Sequence, residues 1–466
     1  MMMYKRSIFF VLVICGLWVL PGCKKFLDVS PPSTSINPTT VKDFQEILNG
    51  DTLSNCHFFL LDLMSDDMTL SNTQVATASN YYQRSYLWQS SIWNPADADV
   101  MYNSTYSRIL QMNIILNRID AAPDDASNTP QNKSTVVSQA LINRAWYYLQ
   151  LVNAYGAAYD AVTSATDPGV PLVTTAGTNA LPGRASVAQV YAQVIGDLKA
   201  AVSNPYLPGK GVDIIHPGKA SGYALLARAY LYQGDYTAAL NYADSTLATQ
   251  SSLQNYSLST YFNPSQLPDL VPNPEILLGR MTTDLAFISF YSTTLMPSAS
   301  LTSTLTTSDL RYSKKFASAS RFSPAIYRLS TGNSMVFDHS VGVPEVMLIK
   351  AECLARAGSF AEAGALLAKL RINRLPTYIT DSRTYTAANI LGYVLDERRR
   401  ELFYHGGLRL FDLKRLNKDA ALKQDIKRFN DSGTAIATLP AGSGLYLVPF
   451  SPTVIAANPN IVQNPR

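Results

Sequence analysis

The side chains best equipped for chemistry crowd residues 396–415, DERRRELFYHGGLRLFDLKR, where Glu397, Arg398, Arg400, Glu401, Arg409, Asp412 and Arg415 mix both signs of charge. Such a cluster can hold an anion or relay a proton, but spacings of three and four set opposite charges side by side along helices. It therefore reads as a salt-bridged seam joining two helices, ahead of any reaction centre. Asp66 and Asp67 offer the paired carboxylates that a glycosidase holds across a sugar about 5 to 10 Å apart. Neighbours in sequence point apart, however, and SDDM reads as a capping or turn element. The four histidines, His57, His216, His339 and His405, lack the close spacings of a zinc site. A Gly-x-Ser-x-Gly elbow, a Walker-type loop and a dinucleotide fingerprint are all missing from the sequence. No catalytic residue, metal ligand or cofactor is assigned, and the chain reads as a binder and not an enzyme.

Binding a sugar asks for other side chains: flat aromatic faces for the apolar side of the ring, with amides or charges nearby for its hydroxyls. Tyr81, Tyr82, Tyr86, Trp88 and Trp93 are interleaved with Asn80, Gln83, Arg84 and Gln89, which meets both demands. A second aromatic group, Phe290, Tyr291 and Tyr312, lies far downstream. The candidate ligand-binding residues are thus Tyr81, Tyr82, Arg84, Tyr86, Trp88, Trp93 and Tyr291. The competing reading is that these rings are buried against helices.

Helices must position these groups. Residues 345–415 carry apolar residues at helical spacing in four segments. In the first two, Ala351, Leu354, Gly358, Phe360 and Ala363 fall at offsets that recur upstream at Ala227, Tyr230, Gly234, Tyr236 and Ala239. Small Ala lets two helices approach, Gly ends the first where a positive φ is needed, and the aromatic fills the turn. This is a helical hairpin of the tetratricopeptide type, present at least twice. Further helices are expected over 41–48 behind Thr39 and Thr40, over 101–119, over 136–155 and from Ser186 to Val202. Residues 55–99 read as long loops, 251–344 as a Ser/Thr/Pro-rich ordered insertion, and GLYLVPF near the end as a strand-like piece pinning the tail.

The chain has 466 residues, of which 47% are apolar and 15% charged, ample for a buried core. Residues 1–22 combine Lys5 and Arg6 with an apolar run and end Leu20-Pro21-Gly22-Cys23, the pattern of a signal peptide cut before a cysteine that is then acylated. Loss of Lys5 and Arg6 lowers the formal charge from +4 to +2, which leaves no electrostatic case for nucleic acid. Residues 23–40 then form a Pro-rich tether. Cys56 and Cys353 remain, far apart in sequence, with their pairing open.

In their order these features resemble the SusD/RagB family of outer-membrane lipoproteins. The matching pieces are Cys23-Lys-Lys-Phe-Leu-Asp, the segment 102–119, DPGVPLV at 167–173, EVMLIKAECLARAG at 345–358, residues 396–415 and NPNIVQNP at 458–465. The resemblance implies an all-α, tetratricopeptide-like scaffold with a loop-rich insertion and little β structure. It divides the mature chain into an N-terminal region, 41–250, the insertion, 251–344, and a C-terminal helical region, 345–466. It also implies a lipid-anchored protein of the cell outer membrane, surface-exposed, that captures a glycan or oligosaccharide and hands it to a SusC-like TonB-dependent transporter. The chain departs from the family's pattern at His405 and Leu410, where Glu and Trp are common. A tetratricopeptide scaffold that binds peptides or proteins at the membrane is the alternative.

Overall fold

Capping chemistry decides where the helices begin. Thr40 accepts the Asp43 N–H while the Asp43 carboxylate takes the Thr40 N–H, and Asn80 with Gln83 and Ser186 with Gln189 repeat this reciprocal pair. Thr129 caps the longest helix with Pro130 in its first turn, so that helix starts six residues earlier than its apolar period alone indicates.

A computed structural model describes residues 37–50, 53–77, 80–177, 181–258, 273–282, 295–318, 321–322, 337–379 and 383–466. The chain divides into two units, Met1–Thr39 and Thr40–Arg466. Cys23 and Tyr291 lie outside the described residues. Among those described there are sixteen α-helices: α1 Val41–Asn49, α2 Phe59–Met64, α3 Asn72–Thr77, α4 Tyr81–Tyr86, α5 Val100–Arg118, α6 Pro130–Tyr155, α7 Val187–Ser203, α8 Lys219–Gln233, α9 Tyr236–Thr249, α10 Ala299–Thr302, α11 Leu310–Lys315, α12 Val343–Arg356, α13 Phe360–Arg371, α14 Ile390–Leu402, α15 Leu408–Leu416 and α16 Pro452–Ala457. Ten short strands pair two by two: β1 Met68–Leu70 with β4 Leu295–Pro297, β2 Ile276–Leu278 with β8 Val341–Gly342, β3 Met281–Thr282 with β7 Phe337–Asp338, β5 Phe316–Ser318 with β6 Arg321–Phe322, and β9 Ile426–Phe429 with β10 Ala435–Leu439. The helix-rich, strand-poor class expected from the sequence is the one observed.

Helices α5 to α9 pack in sequence, each against the next, and α9 then packs against α12, which packs against α13 and α14. The two repeat hairpins, α8/α9 and α12/α13, are therefore stacked neighbours although the insertion separates them in sequence. Ala227, Ala239, Ala351 and Ala363 have no exposed surface, as close helix approach demands. Gly234 and Gly358 take φ of 78° and 86°, the left-handed conformation that ends each first helix.

Two expectations are corrected. Residues 55–99 contain three short helices, α2 to α4, and strand β1, where loops were expected. The closing GLYLVPF piece is not a strand: Gly444–Tyr446 is one 3-10 turn, and separate contacts fix residues 448–464. Val448 N–H donates to the Ala154 carbonyl at 3.0 Å, Phe450 stacks on Tyr155 with centroids 4.8 Å apart, and Asn464 bonds the Tyr155 carbonyl at 2.9 Å. The tail has no strand partner because it lies against a helix end.

The charged stretch forms a buried network wider than a two-helix seam. Arg398 and Asp412 do join α14 to α15 at 2.7 Å. Arg415 reaches Glu352 of α12, while Arg311 binds Asp309, Glu397 and Glu401, each at 2.7 Å. Arg374 adds Glu401 and Glu275 at 2.7 and 2.8 Å. Burial opposes the charge on Glu397, yet Arg311, Arg400 and Arg371 together hold its carboxyl well below the usual range. Arg311 and Glu275 belong to the insertion, so the network ties insertion to scaffold. Cys56 and Cys353 are both free and buried.

Candidate ligand-binding cleft

The β9–β10 ribbon brings the C-terminal region to the aromatic segment. Its first strand alternates strictly, with Ile426 and Arg428 buried and Lys427 and Phe429 exposed. Arg428 is the fastener. Its guanidinium donates to the carbonyls of Leu63, Met68 and Tyr86 at 2.6, 3.0 and 2.9 Å, and lies 4.0 Å from the Tyr86 ring centroid and 4.3 Å from that of Trp88. The inner face of the ribbon is thereby pinned and its outer face is left to solvent.

Strand β1, next to the aromatic segment, pairs with β4 of the insertion in the register Met68↔Pro297 and Leu70↔Leu295. Aromatic segment, insertion and ribbon then enclose a cleft of about 690 Å³. Its wall includes Met68, Thr69 and Tyr86, Met296 and Ser298–Ser300 from the insertion side, Arg399, and the ribbon residues Lys427, Phe429, Asn430 and Asp431. Phe429 is 49% exposed. It is an apolar ring edged by an ammonium, an amide and a carboxylate, with the Ser300 hydroxyl accepting from Arg399 at 2.9 Å.

The candidate aromatics sit together but mostly behind this wall. Trp88 and Trp93 are buried, donating their indole N–H to the carbonyls of Met64 and Pro449 at 2.8 and 2.7 Å. Tyr82 is buried between Phe59 and Tyr81, and Tyr81 is half-buried against Trp93, with centroids 4.9 Å apart. Arg84 donates to the Ile92 carbonyl at 2.7 Å and pairs loosely with Asp97 at 3.5 Å. Tyr86 lines the cleft yet has no exposed surface, because Arg428 covers its ring. Tyr82, Tyr86, Trp88 and Trp93 are buried, their ring faces taken by neighbours, as the competing reading of these aromatics has it. Phe429 was missed by sequence reasoning, although Asn430-Asp431-Ser432-Gly433 between IKRF and AIATL is a hairpin signal that points to it.

Asp66 and Asp67 are likewise not a simple cap. Asp66 takes a two-pronged contact from Arg409 at 2.7 and 2.8 Å, and Asp67 one from Arg399 at 2.8 Å. Burial disfavours both charges, but Arg409 and Arg399 hold Asp66 well below the carboxylate range, whereas burial prevails at Asp67 and raises it. Asp66 is held through both oxygens and Asp67 through one.

In the buried core, Cys56 Sγ lies 3.3 Å from His339 Nδ1, and His339 Nε2 lies 3.8 Å from the Asp62 carboxylate. The order resembles a nucleophile, base and acid, but burial pushes the thiol up to about 12 and the imidazole down to about 3. A thiol this reluctant to ionise beside so weak a base is a poor nucleophile. Asp62 instead accepts the N–H groups of Gly406 and Gly407 at 3.0 and 2.8 Å, fixing the turn before α15. His405 in that turn faces Asp338 of β7 at 3.4 Å, so this departure from the family's pattern serves as a contact to the insertion. Among the described residues no group of three His, Cys, Asp or Glu side chains is placed to hold a metal ion, and no helix is long and apolar enough to cross a membrane.

Residues 25–231 match a family model, SusD-like_3, described as "Starch-binding associating with outer membrane", and residues 343–466 match a second, SusD_RagB, described as "SusD family". No curated protein matches the chain. Among solved structures, a Bacteroides vulgatus protein superposes with a TM-score of 0.73 at 21% identity, over 92% of this chain and 99% of its own. A SusD superfamily protein from Bacteroides thetaiotaomicron gives 0.70 at 21% identity, over 92% and 100%. A SusD-like carbohydrate binding protein from Bacteroides vulgatus gives 0.69 at 19% identity, over 91% and 98%. At these identities the likeness establishes a shared fold.

Proposed function

The chain belongs to the SusD/RagB family, and from that premise we propose that it is a cell-surface binding protein of the outer membrane which captures a glycan or oligosaccharide in the cleft. The observation that carries this reading is Phe429, a half-exposed ring on the wall of a cleft of about 690 Å³ that Lys427, Asn430, Asp431 and Ser300 also line. Pyranose recognition uses that combination: an apolar face stacks on the ring while hydroxyls exchange hydrogen bonds with the rim. Tyr86 and Trp88 act one layer back, holding Arg428 and through it the ribbon. Tyr81 and Arg84, half-buried in the aromatic segment, and Tyr291 of the insertion complete the set of proposed ligand residues.

Anchoring by an acylated Cys23 and hand-over to a SusC-like TonB-dependent transporter belong to the same reading and rest on the family and on the sequence of residues 1–23. No bond need be made or broken, since capture followed by transfer is enough. Calorimetry with a panel of oligosaccharides and peptides tests the proposal. Saturable binding of an oligosaccharide, weakened by Phe429→Ala, is expected. Binding of peptides alone would favour the alternative, a tetratricopeptide scaffold for protein partners, which the stacked α8/α9 and α12/α13 hairpins support.

A further inference from the structure

We propose that a second cavity, beside Lys414, is a separate ligand site that takes a small organic carboxylate. This cavity measures about 340 Å³ and shares no lining residue with the cleft. Its walls come from residues 157–167, from the end of α15 and from the turn at 442–447.

Lys414 is 8% exposed, and its Nζ donates to the carbonyls of Asn153 and Gly156 at 2.5 and 2.7 Å. These carbonyls are released at the C-terminal end of α6, where the helix dipole favours a cation. Two of the three ammonium protons are thus accounted for, both on neutral oxygens. Among the described residues no carboxylate pairs with Lys414, in contrast to Arg228, Arg398 and Arg415, which bind Glu345, Asp412 and Glu352.

The other charged groups on the cavity wall leave this cation uncompensated. Asp160 is held by Lys418 at 2.9 Å at the partly exposed rim, and Asp167 accepts the Thr163 hydroxyl at 2.6 Å. Burial, reinforced by the charge of Lys418, pushes the Lys414 ammonium down to about 7. The Tyr446 phenol, which also lines the cavity, is driven up to about 12 by burial and stays neutral. A buried ammonium that no carboxylate pairs with gains from an anion that enters, and a second cation, Lys418, held by Asp160 and the Tyr159 carbonyl, lines the same cavity. Ala157, Ala158 and Leu447 offer the apolar remainder, and the volume suits a ligand the size of one sugar ring.

D-glucuronate and D-glucose differ at a single carbon, carboxylate against alcohol, and so isolate the chemistry. The full chain is titrated with each at matched ionic strength, by calorimetry and by side-chain NMR of 15N-labelled lysine. Glucuronate is expected to saturate and to raise the Lys414 titration by about one unit, with glucose doing neither. Binding should weaken as the pH rises from 7 to 9 and the free ammonium is lost. Lys418→Gln, at the rim, should lower glucuronate affinity about threefold with an unchanged melting temperature, and Lys414→Met should abolish binding. Equal isotherms for the two sugars, no glucuronate binding at about ten millimolar, or full affinity in Lys418→Gln would each overturn the proposal and leave Lys414 as a helix cap alone. Because glucuronate here is a probe of a site outside the cleft, this test is independent of whether Phe429→Ala impairs oligosaccharide binding.

Discussion

The network around Glu397 and the ribbon wall of the cleft draw on the same side chains and put them to opposite uses. In the network, Arg311 and Arg374 are sealed from solvent and matched to carboxylates from distant parts of the chain. In the ribbon, the buried arginine, Arg428, meets neutral carbonyls and ring faces, and the charged and apolar side chains of the outer face stay open. Charge matched to charge locks segments together. An arginine that binds only backbone and rings holds a wall in place and draws none of the wall's carboxylates into an ion pair.

That contrast can be broken by mutation, and the largest effect is expected in the network. Arg311→Met leaves Asp309 without its arginine and takes one of the partners of Glu397 and of Glu401, and should cost about 3 to 5 kcal/mol in urea unfolding. A loss below about 1 kcal/mol would mean that the network is not what fastens the insertion. Arg428→Gln should cost about 3 kcal/mol, from charged hydrogen bonds and two ring contacts. Hydrogen exchange should then speed up at 426–439 while α12 keeps its protection, and uniform loosening would contradict a local fastener. Arg409→Ala should cost about 2 kcal/mol by leaving Asp66 without its two-pronged partner. Paired melting and binding titrations decide that case, because an affinity loss exceeding the stability loss would make Arg409 part of the ligand site. Phe429→Ala should be nearly silent in stability, within about 0.5 kcal/mol. Its oligosaccharide affinity should nonetheless fall about three- to tenfold, the worth of one stacked ring. Unchanged affinity would move the binding surface away from the ribbon.

The scaffold could be read from the sequence because its signals are local. Thr40, Ser186, Gly234 and Gly358 act within one turn of their own helix, and the Ala pairs repeat at fixed offsets. The candidate site was legible only in its composition. Tyr86 and Trp88 are the right residue types near the right place, but what decides their exposure is Arg428, more than three hundred residues downstream. The sheet register that joins the aromatic segment to the insertion, Met68 to Pro297, is equally non-local. The partners of Asp66 and Asp67, Arg409 and Arg399, likewise come from the other end of the chain and were not legible. Non-local pairing is what short-range patterns do not encode.

The stacking of α9 on α12 also sets an order in which contacts can form during folding. Helices α5 to α9 each pack on a sequence neighbour and can assemble early, from local contacts. The surface of α9 that receives α12 must then wait for roughly ninety further residues. Loop closure penalises that interval only logarithmically, so the delay is one of time more than of free energy. Throughout it a nascent chain carries an apolar helix face in search of a partner.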